Sequence, residues 1–200
     1  MEHVERLVVL QQLVEAVGAA PVRGVPSGCA CSSSRRLRAV LGAMAFAARE
    51  MVVRLLVDGA RLSVWMMLRK AATAVDHKAR TARSRYAVPA AWTALADAVY
   101  AASSVVGDDN DSSGGALECV IEEGLLRGLL PDWIEALGSS ELGVASACFG
   151  PRAPMRTPAV RTDASRALEA MCAIEGFRDA AGRLGADGAR PEGPPPPPPP

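Results

Sequence analysis

Residues 35–57 read RRLRAVLGAMAFAAREMVVRLLV, and this stretch decides the fold class. Leu37, Leu41, Met44, Ala48, Met51 and Leu55 recur at steps of four, three, four, three and four, which draws a stripe along one side of an α-helix. Val40, Val52 and Leu56 widen the stripe into a face that needs a core to cover it. Ser33 or Ser34 has the chemistry of an N-cap, and Asp58-Gly59 that of a stop. The surrounding region, Leu37–Leu68, is the most apolar in the chain, yet Arg49, Glu50, Arg54, Asp58 and Arg61 interrupt it. A spanning helix needs about 20 residues largely free of charge. A packed helix is therefore expected, not a membrane span.

The same period extends outward in both directions. Before it, Val4, Leu7, Val8, Leu10, Leu13, Val14 and Val17 predict an N-terminal helix over 1–17, stopped by Gly18. Residues 18–34, rich in Gly, Pro and Ser, read as a flexible loop. After it, a helix over about 60–85 begins apolar and becomes basic. Another opens at Pro89 with Trp92, Leu95, Ala96 and Val99 on one face. An acidic loop is expected at 107–115, then a helix from Leu117 to Leu130 that ends before Pro131. Asp132, with Glu135 three residues on, has the spacing of a capping box and predicts a short helix through Leu137. Pro151, Pro154 and Pro158 break the chain over 150–163, and a last helix runs over 163–184 with Leu168, Met171, Cys172, Ile174 and Phe177. Residues 185–200 form a Gly/Pro tail with nothing to bury, expected to be disordered.

No segment alternates with period two. The expected fold is all-α: an irregular helical array or multi-helix bundle of about six helices, with its main domain over 35–184. Composition agrees with this. The 200 residues are 50% apolar and only 4% aromatic, with 37 Ala, which argues against a β-sandwich and against a wholly disordered chain. Net charge is zero but unevenly placed: residues 1–90 carry 14 Lys/Arg against 6 Asp/Glu, and residues 91–200 carry 8 against 16. A basic first half can steer an anionic partner, or attract the acidic second half. The start, Met1-Glu2-His3-Val4-Glu5-Arg6, lacks the basic opening of a secretory signal. With five cysteines and no export signal, free thiols in the cytoplasm are expected, with the nucleus as the alternative compartment.

Gly115-Ala116-Leu117-Glu118-Cys119-Val120-Ile121-Glu122-Glu123-Gly124-Leu125-Leu126-Arg127-Gly128-Leu129-Leu130 ends a helix in a Gly-punctuated, leucine-rich phrase. Ala167-Leu168-Glu169-Ala170-Met171-Cys172, followed by Gly176-Phe177-Arg178, reads as the start of a further unit. Residues 115–184 in this way resemble armadillo/HEAT-type helical repeats, over about a third of the chain. The resemblance implies stacked helices, an α-solenoid fragment, with an exposed interaction groove. It carries no particular binding residue onto this sequence.

Chemistry is sparse. Cys29 and Cys31 sit one residue apart, too tight for the paired spacing of structural zinc, and Cys119, Cys148 and Cys172 stand singly on or near apolar faces, as buried structural cysteines do. His77 follows Asp76 on an arginine-rich helix and reads as a surface residue. Glu122-Glu123 reads as the solvated side of a helix, and Trp65 and Trp92 as core. No cofactor, metal site or enzymatic activity is expected. The candidate anion-binding residues are Arg69, Lys70, Lys78, Arg80, Arg83 and Arg85, opposed only by Asp76. They would serve nucleic acid or an anionic membrane surface. Pro194, Pro195, Pro196, Pro197, Pro198, Pro199 and Pro200 favour polyproline II, the shape that SH3, WW and profilin-type modules recognise. The expected function is that of a non-catalytic protein-interaction or scaffold protein built from stacked helices.

Overall fold

The stripe of residues 35–57 becomes the buried face of α1 (Ala30–Val57) in the structure, a computed structural model that describes residues 30–81, 88–106 and 113–188. Leu41, Met44, Ala45, Ala48, Val52, Leu55 and Leu56 are all buried, whereas Leu37 lies out in solvent. The helix begins at Ala30, earlier than expected, so Ser33 and Ser34 lie within it and do not cap it. Residues 30–34 contain neither Gly nor Pro, so nothing in them breaks a helix. The expected stop holds. Gly59 adopts φ +74°, and a Cβ there would also fall 2.7 Å from the Ala153 Cβ, so both backbone and space require glycine.

That turn is pinned from outside. Gly150 N donates to Gly59 O at 2.8 Å and Arg61 N to Cys148 O at 2.7 Å, making an isolated antiparallel bridge between Ala60 and Phe149. The described residues contain no strand beyond this bridge. The next helix, α2 (Val64–Thr81), starts at Ser63, whose Oγ accepts from Met66 N at 3.3 Å and whose carbonyl accepts from Met67 N at 3.1 Å. Val64, Met67, Leu68, Ala71, Ala72 and Val75 form its buried row, three and four residues apart. They pack on α3 (Ala90–Val106), which follows Pro89 as expected.

The central element is α4 (Ser113–Arg127), in contact with α3, α1, α2 and α5 (Leu130–Gly138), and with α8 (Phe177–Gly188). It ends at Arg127, short of the expected Leu130, because Gly128 turns into the left-handed region at φ +69°. Leu129 N then donates to Gly124 O at 2.8 Å and Gly128 N to Leu125 O at 3.1 Å, the paired bonds of a Schellman ending. The freed Leu129 becomes the N-cap of α5, with Pro131 in the first turn, where a missing N–H costs nothing. Asp132 is thereby moved inside the helix and does not cap it. Its charge still favours the positive end of the helix.

Residues 144–177 depart further from expectation. A short helix α6 (Val144–Cys148) precedes a 3-10 turn at Pro154–Arg156, and α7 (Pro158–Cys172) begins at Pro158 itself. The single helix expected over 163–184 is two, split at Gly176 with φ +81°. The short α6 and this split make eight α-helices among the described residues. The N-terminal segment 1–17, most of the loop 18–34 and the proline tail lie outside those residues.

The helices share one core. Trp133, Phe149, Phe177, Met67, Leu68 and Leu125 are among its largest fully buried side chains. Burial of each such chain stabilises by about 1.5–3 kcal/mol. Trp133 also donates from Nε1 to Ala91 O at 2.9 Å, which ties α5 to the first turn of α3. On the other side α5 packs on α7, where Ser165 Oγ donates to Pro131 O at 3.3 Å. Finally α8 lies against both α4 and α1, so the first and last described helices are neighbours. Arg49 crosses from α1 to α4, where it hydrogen-bonds Glu118 Oε1 and stands 3.8 Å from Glu122. Glu122 is thus not on a solvated face: its side chain is only 17% exposed. Burial pushes its carboxyl pKa up, against the pull of Arg49. Its neighbour Glu123 does face outward, 3.6 Å from Arg127 one turn on.

Candidate interaction grooves

Because α2 buries one row against α3, the opposite row is left to water. Met66, Arg69, Lys70, Thr73 and His77 occupy that outer side. Facing them is the loop after α5, with Glu141 exposed and Leu142 buried. Between the two lies an open groove of about 770 Å³, its basic wall made by Arg69, Lys70, His77 and Lys78. Met66, 43% exposed, and Leu142 add apolar surface to a cationic trough.

Lys78 ties the two sides of the groove together. Lys78 Nζ donates to Glu141 Oε2 at 2.8 Å and sits 5.3 Å from the ring centre of Trp92. The ammonium is therefore held between a carboxylate and an aromatic face. Outside the groove, the Tyr100 hydroxyl on α3 donates to Asp76 Oδ2 at 2.6 Å. That bond above all, with burial second, raises the phenol pKa above its ordinary 10.0. Asp76 therefore serves α3 and is turned toward the helix pair. This explains how one acid coexists with a basic face.

The candidate anion-binding residues separate. Arg69, Lys70 and Lys78 line the groove, and Arg80 is exposed on α2 without lining it. Arg83 and Arg85 lie outside the described residues, as do Pro194–Pro200. The two tryptophans expected in the core, Trp65 and Trp92, are only partly buried, because each packs against the core with one face. His77 is exposed, as the sequence implies. Cys148 and Cys172 are buried, and burial pushes both thiols up, with Lys70 and Arg178 respectively opposing the shift. Cys119 is exposed, contrary to expectation, because it falls on the outer side of α4, one residue from buried Val120. Among the described residues, no three His, Cys, Asp or Glu side chains gather as a metal site would require. No described helix is long and apolar enough to cross a membrane.

Sequence reading missed two arginines on the far side of the Ser139–Ser146 segment. Arg161, on the first turns of α7, is 12% exposed and donates from Nη1 to Met155 O at 2.9 Å. Its Nε is 3.5 Å from Glu135 Oε2 on α5. Arg156, on the 3-10 turn, is exposed beside it. Their only sequence signal was position: both flank Pro158, which opens a helix. No protein family, curated protein sequence or solved structure matches the chain.

Proposed function

We propose that the chain is a non-catalytic protein-interaction module in which packed helices hold the α2 groove open for an acidic, partly apolar segment of a partner protein. The observation that carries this is the groove itself: about 770 Å³, with a cationic wall on α2 and apolar Met66 and Leu142 within reach. Charge gives such a surface its on-rate and orientation, and the desolvated apolar contacts supply affinity. The armadillo/HEAT-like character of residues 115–184 belongs to the same proposal. It is supported by the helices of that stretch, which pack on one another as α4 with α8 and α5 with α7. A cytoplasmic setting and recognition of Pro194–Pro200 by an SH3, WW or profilin-type module complete it.

The test uses a synthetic peptide of alternating Glu and Leu clusters, followed by fluorescence anisotropy against the full chain. Saturable binding that weakens at least tenfold in Lys70→Glu supports the groove. Binding indifferent to Lys70→Glu and Met66→Asp overturns it. A second reading is favoured by the exposed placement of Arg69 and Arg80 three turns apart on α2: an anionic polymer or lipid surface lying along that helix. Random RNA and phosphatidylserine vesicles are the probes, and affinity insensitive to salt excludes this reading.

A further inference from the structure

The geometry points to a second site: the cleft between the end of α5 and the start of α7 binds a phosphate monoester. This site shares no lining residue with the α2 groove and does not rest on the function proposed for it. The cleft has a volume of about 550 Å³ and is lined by Arg156, Arg161, Ser139, Ser140 and Ser146, with Glu135 at its edge. Two guanidinium groups supply fork-shaped donors suited to phosphate oxygens. The Ser139 hydroxyl, which only accepts from Leu142 N at 3.4 Å, and that of Ser140 can each turn a donor toward a tetrahedral anion, whereas Ser146 Oγ already donates to Gly143 O at 3.0 Å. Pro158, the first residue of α7, also lines the cleft, and no side chain caps that helix, so its positive end adds to the field.

The arginines have different parts. Arg161 is set in place before any ligand arrives. It is held by Met155 O and faced by Glu135, and it lies so close over Gly138 that a Cβ there would collide with it. Gly138 ends α5, so the guanidinium rests at the negative end of that helix. Its Nε is buried without a hydrogen-bond acceptor. Arg156 is exposed on the 3-10 turn, where its longer reach into solvent lets it close on an anion. Glu135 leaves the three charges at a net of one positive, which suits a monoester less than two free arginines would. Neutralising Glu135 therefore tightens binding. The volume exceeds that of a phosphate ion, and the cleft is open to solvent, so the carrier of the phosphate has room to extend outward.

The experiment is a titration of the full chain with inorganic phosphate, with N-acetyl-phosphoserine amide and with N-acetyl-aspartate amide, followed by 31P NMR for the first two and by calorimetry for all. The expected result is saturable binding of the phosphate-bearing probes, at least tenfold weaker in Arg156→Ala and several-fold tighter in Glu135→Gln. Arg183→Ala, on the exposed side of α8 and outside both grooves, leaves it unchanged. Tighter binding of the phosphoserine probe than of inorganic phosphate supports the monoester, and equal or weaker binding overturns it. Absence of saturation, equal affinity for the aspartate probe, or indifference to Arg156→Ala overturns the site. Circular dichroism melts of Arg156→Ala, on an exposed turn, are expected to match the parent.

Discussion

Gly124 lies in the middle of α4, where alanine would ordinarily stabilise the helix by about 0.5–1 kcal/mol. Here its missing Cβ is the point of contact with α5. A methyl group would stand 2.7 Å from both Leu130 Cδ2 and Trp133 Cζ3, two side chains buried too deeply to swing aside. Gly124→Ala is expected to destabilise the fold by about 1–3 kcal/mol in spite of its better helix propensity. A melting temperature equal to or above the parent's would show that α5 can back away. Tyr100 offers a second measurement at this scale. Its phenol holds its proton above the ordinary 10.0, so the folded state is favoured below pH 10 and loses that contribution as pH rises through the raised value. Phenolate absorbance, taken as the difference from Tyr100→Phe, should report the raised pKa, and Asp76→Asn should bring it down.

At the scale of elements, what could be read from the chain depended on how many turns a helix has. The row Leu41, Met44, Ala48 and Leu55 was legible because it repeats over about four turns. The five residues of α6 complete less than two turns, too few to establish a period. The break at Gly176 was hidden because apolar residues on both sides keep helical spacing across it, and only the backbone reveals the left-handed glycine. Glu122 looked solvated because its cation comes from α1, and the same arginine bonds Glu118 from 69 positions away. The α2 groove was half legible: the basic run was visible, but the Glu141 and Leu142 wall opposite comes from a distant loop. Arg49→Met tests the tie between α1 and α4. It should cost about 1–3 kcal/mol near neutral pH, since it strands a partly buried carboxylate. Glu122 already has a raised pKa, so acidification protonates it and removes the penalty. Urea unfolding at pH 7 and at pH 4 should show the loss shrinking, and a loss equal at both would place its cause outside the carboxylates. Trp133→Phe, which drops the bond to Ala91 O, should cost about 1 kcal/mol and loosen α5 from α3 in amide exchange.

For the whole molecule the all-α class was legible and the order of packing was not. Periodicity assigns each helix a face but does not name its partner. The contact of α8 with both α1 and α4 therefore emerges only in three dimensions. Removing residues 177–200 should uncover both partners at once. Expected are a broad, non-cooperative thermal transition and binding of a hydrophobic dye, and a sharp melt near the parent's would show that α8 is dispensable.

The pairing of α1 with α8 also has a consequence in time. Translation delivers α1 long before Phe177 opens α8. While residues 58–176 are being made, the nascent polypeptide carries the face of α1 without its α8 neighbour, and that contact waits for α8 to clear the ribosomal exit tunnel.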